Sequence, residues 1–513
     1  MTRVVLAAIF VLFANLANAA TLYVNNSGSP ACSDSTAKAS NSASSPWCSI
    51  MRAAWGSTNY AAKVSGEAAA AGDVVMITAG TYTTTSGNTT ASGSRFTVQL
   101  NPVNSGTAGN LITFRGVGTV DVRTGQSGGL WIHGPMIGCN TVNYIAWDNI
   151  TIDDTYGGSV GDTGPVVFYS STGCQLINST VQGHSGSFNN GDSTFTDNYN
   201  AVRVEVSDST LIRNNTLSRV WGLGTSSGDA LVDNHNNAIV MLYNSDDTII
   251  EHNVMSDAGA AVFIKGIQGG THLYQRRNII RFNHIYSVAE GIFDYFSEDS
   301  KGYQNVMRNI RRTGIHLGGG TTTGPLTNNA VRSVYANNTI YNAGDALSGQ
   351  CVSIQGPYIE NLTVKNNLCT DSRRGFGSLW DNTPAGYSAE LHFDRNLYYG
   401  NAGANEGDWA GTAMSLATWQ GTYSQDANAS TSDPLYVNGG GSYALATDFK
   451  LQGGSPASTL GVDILDLDGD SSTVDTIPAG AYVIGTESIG LVASSGSTGI
   501  SGGVSIIGGV RIQ

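Results

Sequence analysis

Residues 249–253 read Ile-Ile-Glu-His-Asn, and residues 279–283 read Ile-Ile-Arg-Phe-Asn. Both are short apolar runs that end in asparagine, and similar elements recur along the middle of the chain. The further copies lie at residues 147–150, 176–178, 211–215, 306–309, 334–338, 362–367 and 391–396. The step is 29 residues from Asn338 to Asn367 and again to Asn396, and longer steps occur elsewhere. A constant element with variable insertions is typical of a solenoid whose rungs share one looped corner.

The length of the repeat explains why the rungs must stack. A single rung is too small to bury its own apolar face, so neighbouring rungs have to cover each other. Strands in such a stack alternate their side chains between core and surface. A tight corner needs a residue that tolerates a left-handed backbone, and asparagine does so while bonding along a ladder. We therefore expect an all-β, single-stranded parallel solenoid, with a β-propeller or sandwich as the alternative.

The first residues have the features of a signal peptide. Arg3 precedes a short apolar stretch over residues 4–16, and Ala17-Asn18-Ala19 is a small-x-small cleavage site. We therefore assign residues 1–19 to a signal peptide and expect a secreted or cell-surface protein. No later apolar run is long enough to span a membrane. The net charge of −14 argues against nucleic acid as a partner.

The six cysteines fall into neighbouring pairs, each separated by roughly one repeat. An exported chain permits disulfides, and the sequence contains no CxxC or Cys/His cluster. Structural bridges are therefore expected, although spacing cannot prove connectivity. The pairs are Cys32 with Cys48, Cys139 with Cys174, and Cys351 with Cys369.

The two ends differ from the middle, as capping segments should. The N-terminal block contains Tyr-Val-Asn-Asn-Ser-Gly at 23–28, Ser-Pro-Trp-Cys-Ser-Ile at 45–50 and Ala-Gly-Thr-Tyr at 79–82. The far end contains Ser-Asp-Pro-Leu-Tyr at 432–436, Phe-Lys-Leu-Gln at 449–452 and Pro-Ala-Gly-Ala-Tyr at 478–482.

Over roughly residues 21–485, these segments make the chain resemble the pectate-lyase-like right-handed parallel β-helix superfamily. The resemblance implies an N-terminal capping helix before the first rung and a closing segment after the last. We expect one such domain over residues 20–485 and a Gly/Ser-rich tail over 486–513. The superfamily hosts lyases, hydrolases, epimerases, adhesins and phage spikes, so the resemblance concerns the fold more than the activity.

Five strands in the middle of the chain superpose when they are aligned on a small residue. The second column of this alignment is aliphatic and should face the core: Val202, Ile239, Val262, Ile292 and Ile315. The third and fifth columns then face outward as a strip of rings and charges, with the composition of a sugar-binding groove. In this strip we predict substrate contacts from Arg203, Glu205, Phe263 and Phe293.

The region of residues 261–316 is basic within an acidic chain. It contains eight lysines and arginines against four acidic residues. Such a belt would select an anionic polysaccharide, unless these side chains are simply solvated turn residues.

A β-elimination site is one interpretation of this belt. It must neutralise a uronate carboxylate, remove the acidified proton and protonate the leaving oxygen. Lys265 is predicted as base or carboxylate neutraliser, and Tyr295 or His316 as its proton partner. Arg281 or Arg308 would clamp the carboxylate. In β-helix alginate and chondroitin lyases an arginine is expected one rung after the lysine, where this chain has Asp294-Tyr295.

Two groups of acidic residues suggest other chemistry. Asp246-Asp247 and Glu298-Asp299 follow neighbouring strands and are either turn formers or ligands of a calcium ion. Asp-Leu-Asp-Gly-Asp at 466–470 looks like the start of a calcium loop but lacks the glutamate expected at its twelfth position.

A hydrolase would need paired carboxylates, and the candidates are Asp229 and Asp233, which precede His235, and Asp294. The leading hypothesis is a secreted lyase that acts on a uronate-containing polysaccharide. A non-enzymatic carbohydrate-binding or adhesin-like protein is the first alternative, and a glycoside hydrolase is the second.

Overall fold

The computed structural model describes residues 19–84, 98–124, 136–153, 164–183, 199–220, 237–265, 275–318, 330–344, 349–355, 359–378, 388–402, 406–409 and 412–493. Most of the predicted signal peptide (residues 1–18) and of the predicted tail (residues 494–513) lies outside this part. None of the helices within the described ranges has the length and apolar character needed to cross a bilayer.

Strands are the main regular structure of the described chain. In chain order they are β1 Thr21–Val24, β2 Val74–Thr84, β3 Ile112–Thr124, β4 Ile137–Asn140, β5 Ile145–Asp148, β6 Thr151–Asp153, β7 Val166–Tyr169, β8 Gln175–Ile177, β9 Thr180–Gln182, β10 Val202–Glu205, β11 Leu211–Arg213, β12 Thr216–Val220, β13 Ala238–Tyr243, β14 Ile249–Glu251, β15 Val254–Lys265, β16 Gln275–Arg276, β17 Ile279–Arg281, β18 His284–Asp294, β19 Ser297–Glu298, β20 Lys301–Tyr303, β21 Val306–Ile310, β22 Thr313–Gly318, β23 Ala330–Val331, β24 Val334–Ala336, β25 Thr339–Ala343, β26 Val352–Gln355, β27 Ile359–Glu360, β28 Leu362–Lys365, β29 Leu368–Thr370, β30 Phe376–Ser378, β31 Leu391–Asp394, β32 Leu397–Tyr399, β33 Gly407–Trp409, β34 Thr412–Met414, β35 Gly461–Val462 and β36 Thr476–Ile477.

Helices are few and short. The α-helices are α1 Ile50–Trp55 and α2 Leu416–Tyr423. The described 3₁₀ turns are Lys38–Ser40, Tyr60–Ala62, Ser65–Glu67, Ser388–Glu390, Ala446–Phe449 and Pro456–Thr459.

Three long parallel sheets, named A, B and C, run along the molecule. Sheet A contains β4, β7, β10, β13, the second parts of β15 and β18, β22, β26, β30 and β33. Sheet B contains β1, the first parts of β2 and β3, β5, β8, β11, β14, β17, β20, β24, β28 and β31. Sheet C contains the second parts of β2 and β3, β6, β9, β12, the first parts of β15 and β18, β21, β25, β29 and β32.

In each rung of the middle region the chain passes from sheet A to B to C. A small fourth sheet of β16, β19, β23 and β27 lies between A and B. Each sheet strand pairs in parallel with the equivalent strand of the next rung, so the chain is a right-handed parallel β-helix, and the predicted fold class is confirmed. Its interior is one long apolar column that all three sheets line.

A ladder of buried asparagines lies where sheet B passes into sheet C. Each Nδ2 donates to the Oδ1 of the next member over 2.9–3.1 Å. The members are Asn215, Asn253, Asn283, Asn305, Asn338, Asn367 and Asn396, and Asp426 ends the ladder. Every donor of the series is thus satisfied inside the solenoid, and the ladder ties successive rungs together.

The sequence predicted that one asparagine at each corner both adopts the left-handed backbone and forms the ladder hydrogen bonds. In the structure, two neighbouring residues share these roles. The residue just before each ladder asparagine has the left-handed backbone, as at Asn214 with φ of 58° and Phe282 with φ of 56°. The ladder asparagine itself supplies the bonds. The sequence also placed Asn309 in this repeat, which is wrong: Asn305 occupies the ladder, because the rung after Asn283 is only 22 residues long.

The register of sheet A corrects one position of the predicted core column. Val202 pairs with Val240, not with Ile239, and the column continues through Val262, Ile292 and Ile315. The reason is that Ala238 lies beside Ala260, so β13 is shifted by one residue from the alignment on small residues. Both Ile239 and Val240 are buried in the core.

The N-terminal block packs against the first rungs. All six residues of α1 are buried, Ser49 caps its first turn, and Gly56 ends it with a left-handed backbone. The Nε1 of Trp55 donates to the carbonyl of Asn101, which attaches the helix to the following segment. Its role as the cap of the solenoid stays a prediction.

Two of the three predicted disulfides are present. Cys32 bonds to Cys48, and Cys139 bonds to Cys174. The third prediction is wrong in this structure, since Cys351 and Cys369 are buried free thiols. The two thiols are close neighbours, and their sulfurs also contact the hydroxyl of Ser372 and the carbonyl of Gly375. Burial, followed by the hydrogen bond to Cys351, raises the pKa of Cys369 well above its usual value.

The C-terminal segment runs back along the corner between sheets B and C. The amide of Gly480 donates to the carbonyl of Asn366, that of Gly490 to Phe282, and that of Val492 to the side chain of Asn214. These contacts lie on successively earlier rungs, so the segment covers one edge of the solenoid in the reverse direction. Within the described residues, these hydrogen bonds join the segment to the B–C corner.

Candidate functional site

The outer face of sheet A carries a stack of three rings on consecutive rungs. Phe263, Phe293 and His316 are in register on β15, β18 and β22. The ring centroids of the two phenylalanines are 4.7 Å apart, and those of Phe293 and His316 are 4.2 Å apart, both pairs nearly parallel. This column alternates with the aliphatic core column, which is why all three rings point outward. Each ring is nonetheless buried, with at most 3 % of its surface exposed.

A second outward column beside the rings contains the predicted lysine and tyrosine. Lys265 is in register with Tyr243, and the amide of Tyr295 donates to the carbonyl of Ile264 on the neighbouring strand. Tyr295 meets the edges of Phe293 and Phe263, at 5.6 and 6.2 Å between centroids.

The Nζ of Lys265 lies 5.8 Å from the ring centre of Phe263, within cation–π distance. Tyr243, Lys265 and Tyr295 are partly exposed and form one row across three rungs, called the Tyr-Lys-Tyr row below.

A buried carboxylate lies next to His316. The Oε2 of Glu290 is 3.4 Å from Nδ1 of His316, and both side chains are almost fully buried. Nη1 of Arg312 is 3.9 Å from the other oxygen of Glu290. In the sequence, Glu290 is one of the four acidic residues of the basic region, and it was not predicted as a site residue.

A spacing of three residues could have identified this carboxylate. Glu290 precedes Phe293 by the same three positions that separate Thr313 from His316, and Gln350 from Ser353.

Arg203 and Glu205 lie farther along sheet A and bind each other. The Nε of Arg203 donates to Oε2 of Glu205 over 2.7 Å, and both side chains are buried on β10. The guanidinium also lies 5.5 Å from the ring of Tyr243. The two predicted substrate-binding residues therefore form a buried ion pair in this structure.

The structure separates the two predicted arginine clamps from this face. Arg281 is on sheet B, where it binds Glu251 over 2.7 Å and the hydroxyl of Tyr303 over 2.9 Å. Arg308 is on sheet C, over the ring of Tyr286. The grouping of both arginines with Lys265 is therefore wrong. The strands of one rung belong to three different sheets, so their outward side chains point in three different directions.

The predicted basic belt is partly neutralised by acids from neighbouring rungs. Arg276 binds Glu298, and Arg277 binds Asp247. Arg332, which lies outside the basic region of residues 261–316, binds both Glu298 and Asp299.

These contacts involve all four residues of the predicted calcium site, since Arg277 also lies 3.7 Å from Asp246 and the Arg276 amide donates to Asp246. Asp246, Asp247, Glu298 and Asp299 thus form an ion-pair network with Arg276, Arg277 and Arg332 at the A–B corner, and calcium binding there stays a prediction.

Other acidic residues come close enough to share an ion. Asp463, Asp466 and Asp468 present oxygens within 4.8 Å of one another, and so do Asp468, Asp470 and Asp475. They belong to the loop that the sequence compared with a calcium site. Two of the backbone amides in this loop donate to Asp463, and the loop lies in the closing segment, away from sheet A.

Of the carboxylates proposed for a hydrolase, only Asp294 lies in the described part of the chain, and it does not face the ring stack. Asp294 points into the solenoid, where it accepts hydrogen bonds from the hydroxyls of Tyr335, over 2.6 Å, and Ser297. Burial raises its pKa to about 6. Asp294 is therefore not available to a carboxylate pair on the outer face, and Asp229, Asp233 and His235 lie outside the described residues.

Comparisons with known proteins find similar folds but no family. No protein-family model matches the sequence, and no curated protein does. The solved structures that resemble the chain include pectate lyase Pel9A, at 11% identity and a TM-score of 0.47, with 90% of this chain and 96% of that chain covered.

Two further similar structures belong to proteins of other kinds. PfbA, a surface adhesin of Streptococcus pneumoniae, is 12% identical with a TM-score of 0.42 over 63% of this chain and 77% of its own. The GH136 lacto-N-biosidase of Eubacterium ramulus is 12% identical with a TM-score of 0.39 over 77% and 67%. Likenesses at this level concern the fold and carry no argument about activity.

Proposed function

We propose that this chain is an extracellular polysaccharide lyase that cleaves a uronate-containing glycan on the outer face of sheet A. The observation that carries the proposal is the Tyr-Lys-Tyr row, in which a partly exposed cation lies between two tyrosines on adjacent rungs. The two disulfides favour an exported protein, because such bonds persist outside the reducing cytosol.

The row has the groups that a β-elimination needs. The ammonium of Lys265 pairs with the uronate carboxylate and so acidifies the neighbouring C5 proton. Tyr295, as phenolate, accepts that proton; the C4–O bond breaks as the C4–C5 double bond forms. The same hydroxyl then returns the proton to the leaving oxygen. No water is consumed, and the new chain end carries an unsaturated uronate.

The aromatic side chains of the row support a sugar-binding role for this face. Tyr243 and Tyr295 are partly exposed, and aromatic rings present flat apolar surfaces that suit the faces of sugar rings. Phe263 and Phe293 hold the side chains of Lys265 and Tyr295 at their edges, which limits the rotamers that these two residues can adopt. This packing positions the proton-transfer group relative to the cation.

A non-enzymatic carbohydrate-binding protein is the second candidate. Phe263, Phe293 and His316 are buried, so a glycan can reach only the edge of the site. This limited access favours a binding protein over an enzyme. The partly neutralised belt also supplies less positive charge than the sequence suggested. A binding protein would need the surface of the Tyr-Lys-Tyr row but not its proton chemistry.

The test is ultraviolet absorbance of the unsaturated product with mature protein and alginate, pectate, chondroitin or hyaluronan, with and without calcium. We expect a rise with at least one glycan that Lys265→Ala abolishes. Lys301→Ala is the matched control, since Lys301 is a partly exposed strand lysine on sheet B of the same region. Retention on an immobilised glycan with no absorbance rise on any of them would favour the binding protein.

A further inference from the structure

A compact group of polar side chains lies next to the ring stack on sheet A. Glu290 and Thr313 are in register on adjacent strands, and so are His316 and Ser353. Gln350 joins the two columns, because its Nε2 lies 3.1 Å from the hydroxyl of Ser353. All five side chains are buried on the outer face of the sheet. We call this group the polar subsite.

Several polar atoms of the subsite lack hydrogen-bond partners. Within the part of the chain that the structure describes, they are Oγ1 of Thr313, Nε2 of His316 and Oε1 of Gln350. Buried polar atoms are normally paired, and an unpaired one costs stability. Three neighbouring side chains have such unpaired atoms. This indicates a binding site whose ligand supplies the missing hydrogen bonds.

The chemistry of the unpaired atoms restricts that ligand. The amide oxygen of Gln350 only accepts hydrogen bonds, the hydroxyl of Thr313 donates and accepts, and Nε2 of His316 accepts when Nδ1–H faces the carboxylate of Glu290. An anion can only accept, and the carboxylate of Glu290 would repel it. Neighbouring hydroxyl groups, which donate and accept, match this set.

We infer that the polar subsite binds a neutral, hydroxyl-bearing sugar unit of the glycan. The inference rests on the proposed function, because it takes the ligand of sheet A to be a polysaccharide. His316 lies two rungs from Lys265, roughly 10 Å at the usual strand spacing. The substrate would then carry a neutral unit close to the uronate that Lys265 binds.

Glu290 is a positioning residue in this account. With its carboxylate 3.4 Å from Nδ1, it favours the tautomer in which Nδ1 carries the hydrogen and Nε2 accepts. The sugar would then donate a hydroxyl to Nε2 of His316. Exchange of Glu290 by glutamine removes the charge with little change of size and should shift the tautomer.

The first test compares two buried threonines. Thr313→Val removes the unpaired hydroxyl of the subsite, and Thr248→Val removes an equally unpaired one at the A–B corner. Both variants should melt at a higher temperature than the parent, because each loses a buried polar atom without a partner. Only Thr313→Val should weaken binding of neutral sugars, by about tenfold for one hydrogen bond.

The binding readout is the nitrogen and proton NMR signals of the His316 ring in histidine-labelled full-length mature protein, assigned with His316→Gln. The probes are the methyl glycosides of glucose, galactose, mannose and xylose at millimolar concentration, with sulfate as the anionic probe. Shifts with a glycoside that Thr313→Val weakens, and none with sulfate, support the inference. Glu290→Gln should change the tautomer that the nitrogen shifts report.

Three results would overturn the inference: no shift with any glycoside, a shift with sulfate alone, or unchanged binding in Thr313→Val. The two proposals can fail separately. A protein that binds methyl glycosides here but makes no unsaturated product refutes the lyase and leaves the subsite. A lyase whose His316 signals ignore neutral sugars refutes only the subsite.

Discussion

Replacing Asp294 by asparagine tests the register of sheet A through the pH dependence of stability. Burial raises the pKa of this carboxyl from 3.8 to about 6 in the folded protein. The folded state therefore keeps the proton to a higher pH than the unfolded state does. The penalty for a buried carboxylate is absent below about pH 4, grows as the pH rises to about 6, and is constant above that.

The size of the effect follows from the shift. The difference of 6 − 3.8, at 1.36 kcal/mol for each unit, gives about 3 kcal/mol. In Asp294→Asn this penalty is gone. The stability of the variant relative to the parent should therefore be higher at pH 7 than at pH 4 by about 3 kcal/mol. Any change that the amide causes at all pH values cancels in this difference.

The assay is urea unfolding, followed by tryptophan fluorescence, of both proteins at several pH values between about 4 and 7. Asp299→Asn is the control, since its carboxylate is partly exposed and paired with Arg332. Loss of this carboxylate should change the stability by less than about 1 kcal/mol, because exposed pairs contribute little. Equal pH dependence in Asp294→Asn and the parent would refute the inward orientation of Asp294.

Three further predictions concern the ladder, the cysteines and the arginines. Asn305→Ala should destabilise the protein by about 2–4 kcal/mol in urea unfolding, because it removes several buried hydrogen bonds, whereas Asn309→Ala should cost about 1 kcal/mol; equal losses would contradict the ladder assignment. Thiol titration of the denatured, unreduced protein should find the two thiols of Cys351 and Cys369, and none would mean a third disulfide. Arg281→Gln and Arg308→Gln should leave the catalytic rate of any lyase activity within about threefold of the parent, because both side chains lie on other sheets; a loss as large as that of Lys265→Ala would contradict their exclusion from the site.

The fold could be predicted from the sequence because its determinants are local and repeat. Residues 249–253 and 279–283 each place one isoleucine, Ile250 or Ile280, in the core and end at an asparagine of the ladder. The variable length of the rungs set the limit of this reasoning. Residues 306–309 resemble the repeated element, so Asn309 was predicted in the ladder in place of Asn305. The sequence of one rung does not show how long the next rung is.

The site could be predicted only where it follows from strand alternation. Phe263, Phe293 and His316 share a column because each follows an aliphatic core residue by one position. Arg281 and Arg308 were misplaced because closeness in sequence does not show which of three sheets a strand joins. Cys351 and Cys369 were paired on spacing alone, which does not fix how two side chains meet across rungs.

The most direct test of the central claim is the structure of the digestion product. Proton NMR of a uronate-containing glycan after treatment should show the vinyl proton of a C4–C5 double bond with the parent protein and with Lys301→Met. With Lys265→Met the signal should disappear while the protein stays folded. A product with saturated ends, or equal yields with Lys265→Met and the parent, would contradict β-elimination at the Tyr-Lys-Tyr row.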